Sequence, residues 1–362
     1  MQDKAIIIEL KITKQKIKSD IIFKHSISYP LLELGFVRYY HIDRLKFNNI
    51  IEKFKNKTKI YLIINKYNKD LLNVETKKIY HIEPNTSFYK LWEILNIFSL
   101  LLTKSSIKTL HLQETNSSFV QAIKEYRNNK SDTYFCQLLH GTKLKNITYL
   151  EDDIYNVKLK EKVDLITGNT DIDSVIDVIQ EQHSYSIILQ QINIMQNTLH
   201  KNGIFICKFF EMFTLPTCKI IELLTQMFTK SYIIKPLTSP SGLSERYFVG
   251  IGYNDFKIEL DTLIKKIKSS KEHVVDLFND IIIENKNEII LANTIISNNQ
   301  FKNINEIITY VDNEVYLGDE FHKYEQEQKD STKKWIDLYY EKTDFKNLQI
   351  DILNYYKNYL KQ

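Results

Sequence analysis

Lys208, Lys235 and Glu245 each stand where an apolar run begins or ends, at 204–209, 232–234 and 247–251. A charge at the end of a buried strand is costly unless it has a task. The residue types suggest one. A neighbouring cation lowers the pKa of a lysine, and such a lysine can orient a weakly acidic hydroxyl and help remove its proton. A carboxylate beside the lysines can tune and orient them.

The elements that must position these residues are legible in the hydrophobic pattern. Over 84–254, helices alternate with apolar strands. Pro84-Asn85-Thr86-Ser87 is a helix start, and 88–102 carries apolar residues at helical spacing. Strands are expected at 107–112, 133–139 and 163–167, with a helix at 119–126. A long amphipathic helix at 184–199 is stopped by Asn202-Gly203. The three runs at the lysines and the glutamate complete the set. This alternation implies an α/β fold with a mainly parallel sheet covered on both faces.

Residues 1–83 hold short β-like runs at 5–10, 21–23, 59–65 and 78–82, with helical patterns at 31–36 and 45–54. They read as an accessory α+β module. Residues 255–362 read as a helical extension with charged faces, in which 326–338 and 349–360 are exposed or partner-packing helices.

Composition sets the outer limits. The chain has 362 residues and is 43% hydrophobic, enough for a substantial core. Its net charge of +4 puts any nucleic-acid footprint in local clusters. Such clusters run through Lys14 to Lys18, Lys143 with Lys145, Lys158 to Lys162 and Lys265 to Lys271, and read first as solvated faces. Cys136, Cys207 and Cys218 have no metal-ligand spacing, so reduced thiols and no metal site are expected. No secretory leader or apolar run of membrane-spanning length is visible, so a soluble, cytoplasmic protein is expected.

The order of several short motifs resembles the FtsJ-like RNA 2′-O-methyltransferases, in particular the cap-specific branch of large DNA viruses and eukaryotes. Phe88-Tyr89-Lys90-Leu91-Trp92-Glu93 matches that family's aromatic-Lys-Leu-x-Glu element. The helix with Gln180-Glu181 and Gln190-Gln191 matches its Gln-rich helix. Lys208, Lys235-Pro236-Leu237-Thr238-Ser239 and Ser244-Glu245-Arg246-Tyr247 follow in the family's order. The resemblance implies a Rossmann-like, S-adenosylmethionine-dependent fold with a seven-stranded sheet over 84–254. It also implies a Lys-Asp-Lys-Glu tetrad acting on a ribose hydroxyl, with Lys90, Lys208 and Glu245 in the first, third and fourth places.

Two departures stand out. The family's cofactor loop reads Glu-x-Pro-Gly-Gly-Phe; here it is Glu114-Thr115-Asn116-Ser117-Ser118-Phe119. Both glycines are gone from a place where bare backbone must approach the donor closely. The tetrad aspartate is replaced by Asn169, with Asp171 two residues on as a substitute if the loop is re-routed. The second strand, ending Gln137-Leu138-Leu139-His140-Gly141, also lacks the acid that commonly holds a cofactor ribose; Glu151, Asp152 and Asp153 come only later.

The leading expectation is therefore a catalytically degenerate methyltransferase-like protein with no bound S-adenosylmethionine. It would act as a structural or regulatory subunit in RNA processing, with RNA, capped mRNA, a capping enzyme or an RNA polymerase subunit as partners. Two alternatives stay open: an active cap or ribose 2′-O-methyltransferase with a divergent donor loop, and an RNA-binding assembly module.

Overall fold

The computed structural model describes residues 5–26, 42, 45–50, 65–150, 153–170, 180–315 and 318–340. The strands are β1 Ile6–Leu10, β2 Ile21–Lys24, β3 Lys108–Thr115, β4 Thr133–His140, β5 Thr148–Tyr149, β6 Val163–Gly168, β7 Leu199–Phe209, β8 Phe228–Lys235, β9 Arg246–Tyr253 and β10 His273–Leu277. The helices are α1 Lys69–Tyr80, α2 Thr86–Ile97, α3 Ser118–Arg127, α4 Gln180–Thr198, α5 Leu215–Met227, α6 Asp261–Ser269, α7 Lys286–Asp312 and α8 Glu320–Tyr339.

One sheet runs in the order β1-β8-β9-β7-β6-β3-β4-β5. The ladders from β5 through β4, β3 and β6 to β7 are parallel. Those joining β7, β9, β8 and β1 are antiparallel. One core cluster covers one face of the sheet beneath α4, α5 and α6; a second covers the other beneath α2, α3 and α8. The strand order reverses between β3 and β6, and the carboxyl ends there form the crevice where open α/β sheets bind ligands.

Seven strands were expected in the sheet, and among the described residues it has eight. The added one is β1, paired with β8 from Ile6↔Lys235 to Leu10↔Ser231. Its alternation explains the fit: Ala5 and Ile7 join one core cluster, Ile8 and Leu10 the other. β2 pairs with β10, a strand in a stretch expected to be helical. Both N-terminal strands thus pair with later parts of the chain.

The β-like run expected at 78–82 is instead the end of α1. Asn68 caps that helix by accepting from the Asp70 and Leu71 amides, and a left-handed His81 ends it. The long helix before Lys208 stops at Thr198, earlier than its Asn-Gly signal. Asn202, at φ 65°, lies within β7, beside a register shift in the β6–β7 ladder. The segment 326–338 forms part of α8 and packs within its own chain. Trp335 and Tyr339 are buried, with Trp335 edge-on to Tyr89 at 5.6 Å. The expected elements at 31–36, 51–54, 59–64 and 349–360 lie outside the described residues.

Candidate active site

α2 is buried along nearly its whole length, from Phe88 to Ile97. It carries Lys90 and Glu93 three residues apart, hence on neighbouring positions of one face. Lys90 is 6% exposed, and its ammonium pairs with Glu245 Oε1. Lys208, one residue before the end of β7, lies opposite Tyr247 of β9, and its Nζ is 3.8 Å from Glu245 Oε2. The Lys208 ammonium also stands 5.3 Å from the centre of the Phe210 ring. Lys235 ends β8. Its Nζ donates to Ser239 Oγ at 3.0 Å and to the carbonyls of Leu243 at 2.8 Å and Glu245 at 3.0 Å. Ser239 Oγ in turn donates to Glu245 Oε1 at 2.8 Å.

One carboxylate therefore faces three lysines. Burial alone would raise the Glu245 pKa, but Lys90, Lys208 and Lys235 outweigh it and hold the carboxyl well below the usual range. Glu245 is the ionised hub of the cluster.

Asn169 follows β6 and is 5% exposed. Its amide donates to the Leu112 carbonyl at 3.0 Å. The register Gly168↔Cys207 puts Asn169 level with Lys208 on the neighbouring strand. Thr170 Oγ1 donates to the Lys208 carbonyl at 3.3 Å and accepts from Gln191 Nε2 of α4 at 3.4 Å. Asp171, the substitute acid, lies outside the described residues, as do Glu151 and Asp152. Asp153 caps a single 3-10 turn through the Tyr155 amide.

The β3–α3 loop holds the other set of expected residues. Asn116 has φ 56° and Ser117 φ 52°, both left-handed, while Ser118 is the first helical residue. A serine in that region costs roughly 1–2 kcal/mol. Side-chain contacts offset it. Ser117 Oγ donates to the Thr142 carbonyl at 2.8 Å and lies 3.1 Å from the Tyr149 hydroxyl. Asn116 donates its amide to the His140 carbonyl at 3.0 Å. Its side chain lies against Gly141, where an added Cβ would fall 2.1 Å from Asn116 Oδ1. Glu114 is fully buried and accepts the Phe119 amide at 3.0 Å, capping α3 in place of Ser117, whose side chain makes no cap bond. Burial pushes its pKa up to about 8, against the pull of the Phe119 and Ser118 amides.

A family model described as FtsJ-like methyltransferase matches residues 85–253. Over those residues the chain is similar to the FtsJ-like methyltransferases. An uncharacterized protein of Acanthamoeba polyphaga mimivirus is 25% identical over 338 residues, covering 93% of this chain and 89% of that one. Cap-specific mRNA (nucleoside-2′-O-)-methyltransferase 2 of Drosophila melanogaster is 24% identical over 221 residues, covering 50% of this chain and 31% of the fly protein. Cap-specific mRNA (nucleoside-2′-O-)-methyltransferase 1 of Dictyostelium discoideum is 39% identical over 71 residues, covering 20% of this chain and 9% of its own. The chain thus spans less than a third of either cap-specific relative. Among solved structures, a Plasmodium falciparum protein described as a ribosomal RNA methyltransferase is 19% identical. It covers 47% of this chain and 97% of its own, at a TM-score of 0.41.

Within residues 85–253, Lys90, Lys208 and Glu245 meet, and Asn169 lies level with Lys208. Glu114, Asn116, Ser117 and Ser118 form a separate loop across the β3 end. Lys235 stood out by its charge at a strand end, whereas Ser239 and Glu93 were matched as motif letters without a role; the spacing alone could not show that all three serve Glu245 and its loop. Among the described residues, no group of His, Cys, Asp and Glu could hold a metal ion, and no helix is long and apolar enough to cross a membrane.

Proposed function

We propose that this chain is a methyltransferase-fold protein that does not transfer methyl groups and serves as a structural or regulatory subunit in RNA processing. The names of the cap-specific relatives favour mRNA capping as the setting. The observation that carries the reading is the path of the β3–α3 loop. Where the family has proline, Asn116 has φ 56°, a value closed to a proline ring. The loop has therefore been re-routed as well as substituted. Its Asn116 and Ser117 side chains turn onto Gly141, Thr142 and Tyr149. These residues do not fit S-adenosylmethionine, which needs uncovered backbone at the end of the first strand.

Asn169 supports the same reading. An amide beside Lys208 cannot balance a lysine as a carboxylate does, nor tune its pKa in the same way. The names of the cap-specific relatives make RNA the partner this reading assigns.

Radioactive methyl transfer from S-adenosylmethionine to capped RNA tests the proposal. No transfer is expected across several RNA substrates, with RNA binding that weakens as salt rises. Transfer that disappears in Lys208→Ala would make the chain an active 2′-O-methyltransferase and overturn the reading.

A further inference from the structure

Glu93 is fully buried on α2, and its carboxylate accepts hydrogen bonds from two adjacent residues of the loop after β8, with the Trp335 indole of α8 also acting on it. Oε2 accepts the Leu237 amide at 2.7 Å. Oε1 accepts the Thr238 amide at 2.7 Å and the Thr238 hydroxyl at 2.5 Å. A buried carboxylate of this kind satisfies backbone donors that water would otherwise serve.

Those donors occupy a particular place. Leu237 and Thr238 open the loop that leaves β8 and ends at Glu245. Farther along, the same loop is held by Lys235 on Ser239, Leu243 and Glu245, and by Ser239 on the Glu245 carboxylate. Glu245 itself is gripped by Lys90, three residues before Glu93 on the same helix. α2 therefore holds the loop at two points, its entry through Glu93 and its exit through Lys90. One turn before Glu93 on the same helix, Tyr89 packs edge-on to Trp335 of α8.

We infer that Glu93 is a positioning residue: by holding Leu237 and Thr238 it sets the loop that presents Glu245 to Lys90, Lys208 and Lys235. A purely structural Glu93 would satisfy two amides and leave the setting of Glu245 to other contacts. The inference does not rest on RNA binding or on methyl transfer, because the quantity it concerns is the ionisation of Glu245.

Carbon-13 NMR of labelled glutamate carboxyls separates the two roles. The charged groups facing Glu245 are Lys90 from α2, Lys208 from β7 and Lys235 from β8. All three remain in Glu93→Gln. In the unaltered protein, Glu245 should stay ionised to the acid limit of the folded state. In Glu93→Gln, the amide presents an NH2 to a site built for acceptors, the loop shifts, and Glu245 should titrate within the folded range. Burial raises Glu93 to about 7, so it is already neutral where Glu245 titrates; Glu93→Gln removes no charge in that range, and an upward move of Glu245 reports displacement. A Glu245 titration that is unmoved or lower, in a folded Glu93→Gln protein, would overturn the inference. Should that variant fail to fold, Thr238→Val deletes only the hydroxyl bond. It should raise the Glu245 midpoint by a smaller amount, and no change would equally overturn the inference.

Discussion

Ser117 Oγ lies 3.1 Å from the Tyr149 hydroxyl, joining the loop after β3 to the short strand β5. The same serine donates to Thr142, and Tyr149 accepts the Leu144 amide at 2.6 Å. Three segments at the carboxyl edge of the sheet are thus tied by one hydroxyl pair. In an open α/β sheet that edge is where a nucleoside is usually received.

A substitution series at Ser117 should show this balance. Ser117→Ala keeps the left-handed strain and loses the hydroxyl bonds, and should cost about 1–3 kcal/mol. Ser117→Gly loses the same bonds but relieves the backbone, so it should cost less. Urea unfolding of the two variants checks the order. Equal losses, or a larger loss for glycine, would contradict it.

The lysine cluster should be asymmetric in its response to mutation. Glu245→Gln strips Lys90, Lys208 and Lys235 of their shared carboxylate and should destabilise the fold by about 3–5 kcal/mol. Lys90→Met removes one of three cations and leaves Glu245 paired with Lys208, so its effect should be smaller. Calorimetric melting of both variants gives the comparison.

Stability should fall as pH rises from weakly acid to weakly alkaline. Burial raises Glu114 and Glu181 from 4.5 to about 8, and Glu93 to about 7. Between those values the native state holds protons that the unfolded chain has released, so each group's contribution is complete below 4.5 and is lost as pH passes its folded pKa. Glu245 acts oppositely: its contribution is present above 4.5 and is lost as pH falls towards its depressed folded pKa. Urea midpoints at about pH 5 and about pH 9 should show the decline, and Glu114→Gln should reduce it.

Gly168 sits one residue before Asn169, where a Cβ would meet Gln191 Oε1 at 2.2 Å and Cδ at 2.6 Å. Gly168→Ala should displace Gln191 from Thr170 and Cys207, at about 1–3 kcal/mol. Adding Gln191→Ala should recover part of the loss, and a double-mutant cycle measures how much. Simple additivity would refute the contact.

Much of this was legible along the chain because it is local. The apolar runs that became β3, β4, β6, β8 and β9 announce themselves by composition, and the lysines and glutamate by standing at their ends. Partner choice is not local. The run at Ile6–Leu10 reads as a strand, but nothing in five residues says that it will pair with Phe228–Lys235. The charged residues at 326–330 of α8 read as a solvated face and are largely exposed, but nothing in that pattern says that Trp335 and Tyr339 of the same helix are buried against α2. β10 carries a weak signal in buried Val274 and Leu277, hidden among lysine-rich helical sequence. At the site, the missing glycines were plain in 114–119. The left-handed turn at Asn116 and Ser117 was not, because it depends on Thr142, Gly141 and Tyr149 from the next loop and strand.

Calorimetric titration of the intact protein with S-adenosylmethionine tests the central claim most directly. No binding heat is predicted, even at donor concentrations in the millimolar range. Saturable binding in the micromolar range, lost when the 116–118 loop is altered, would contradict the account.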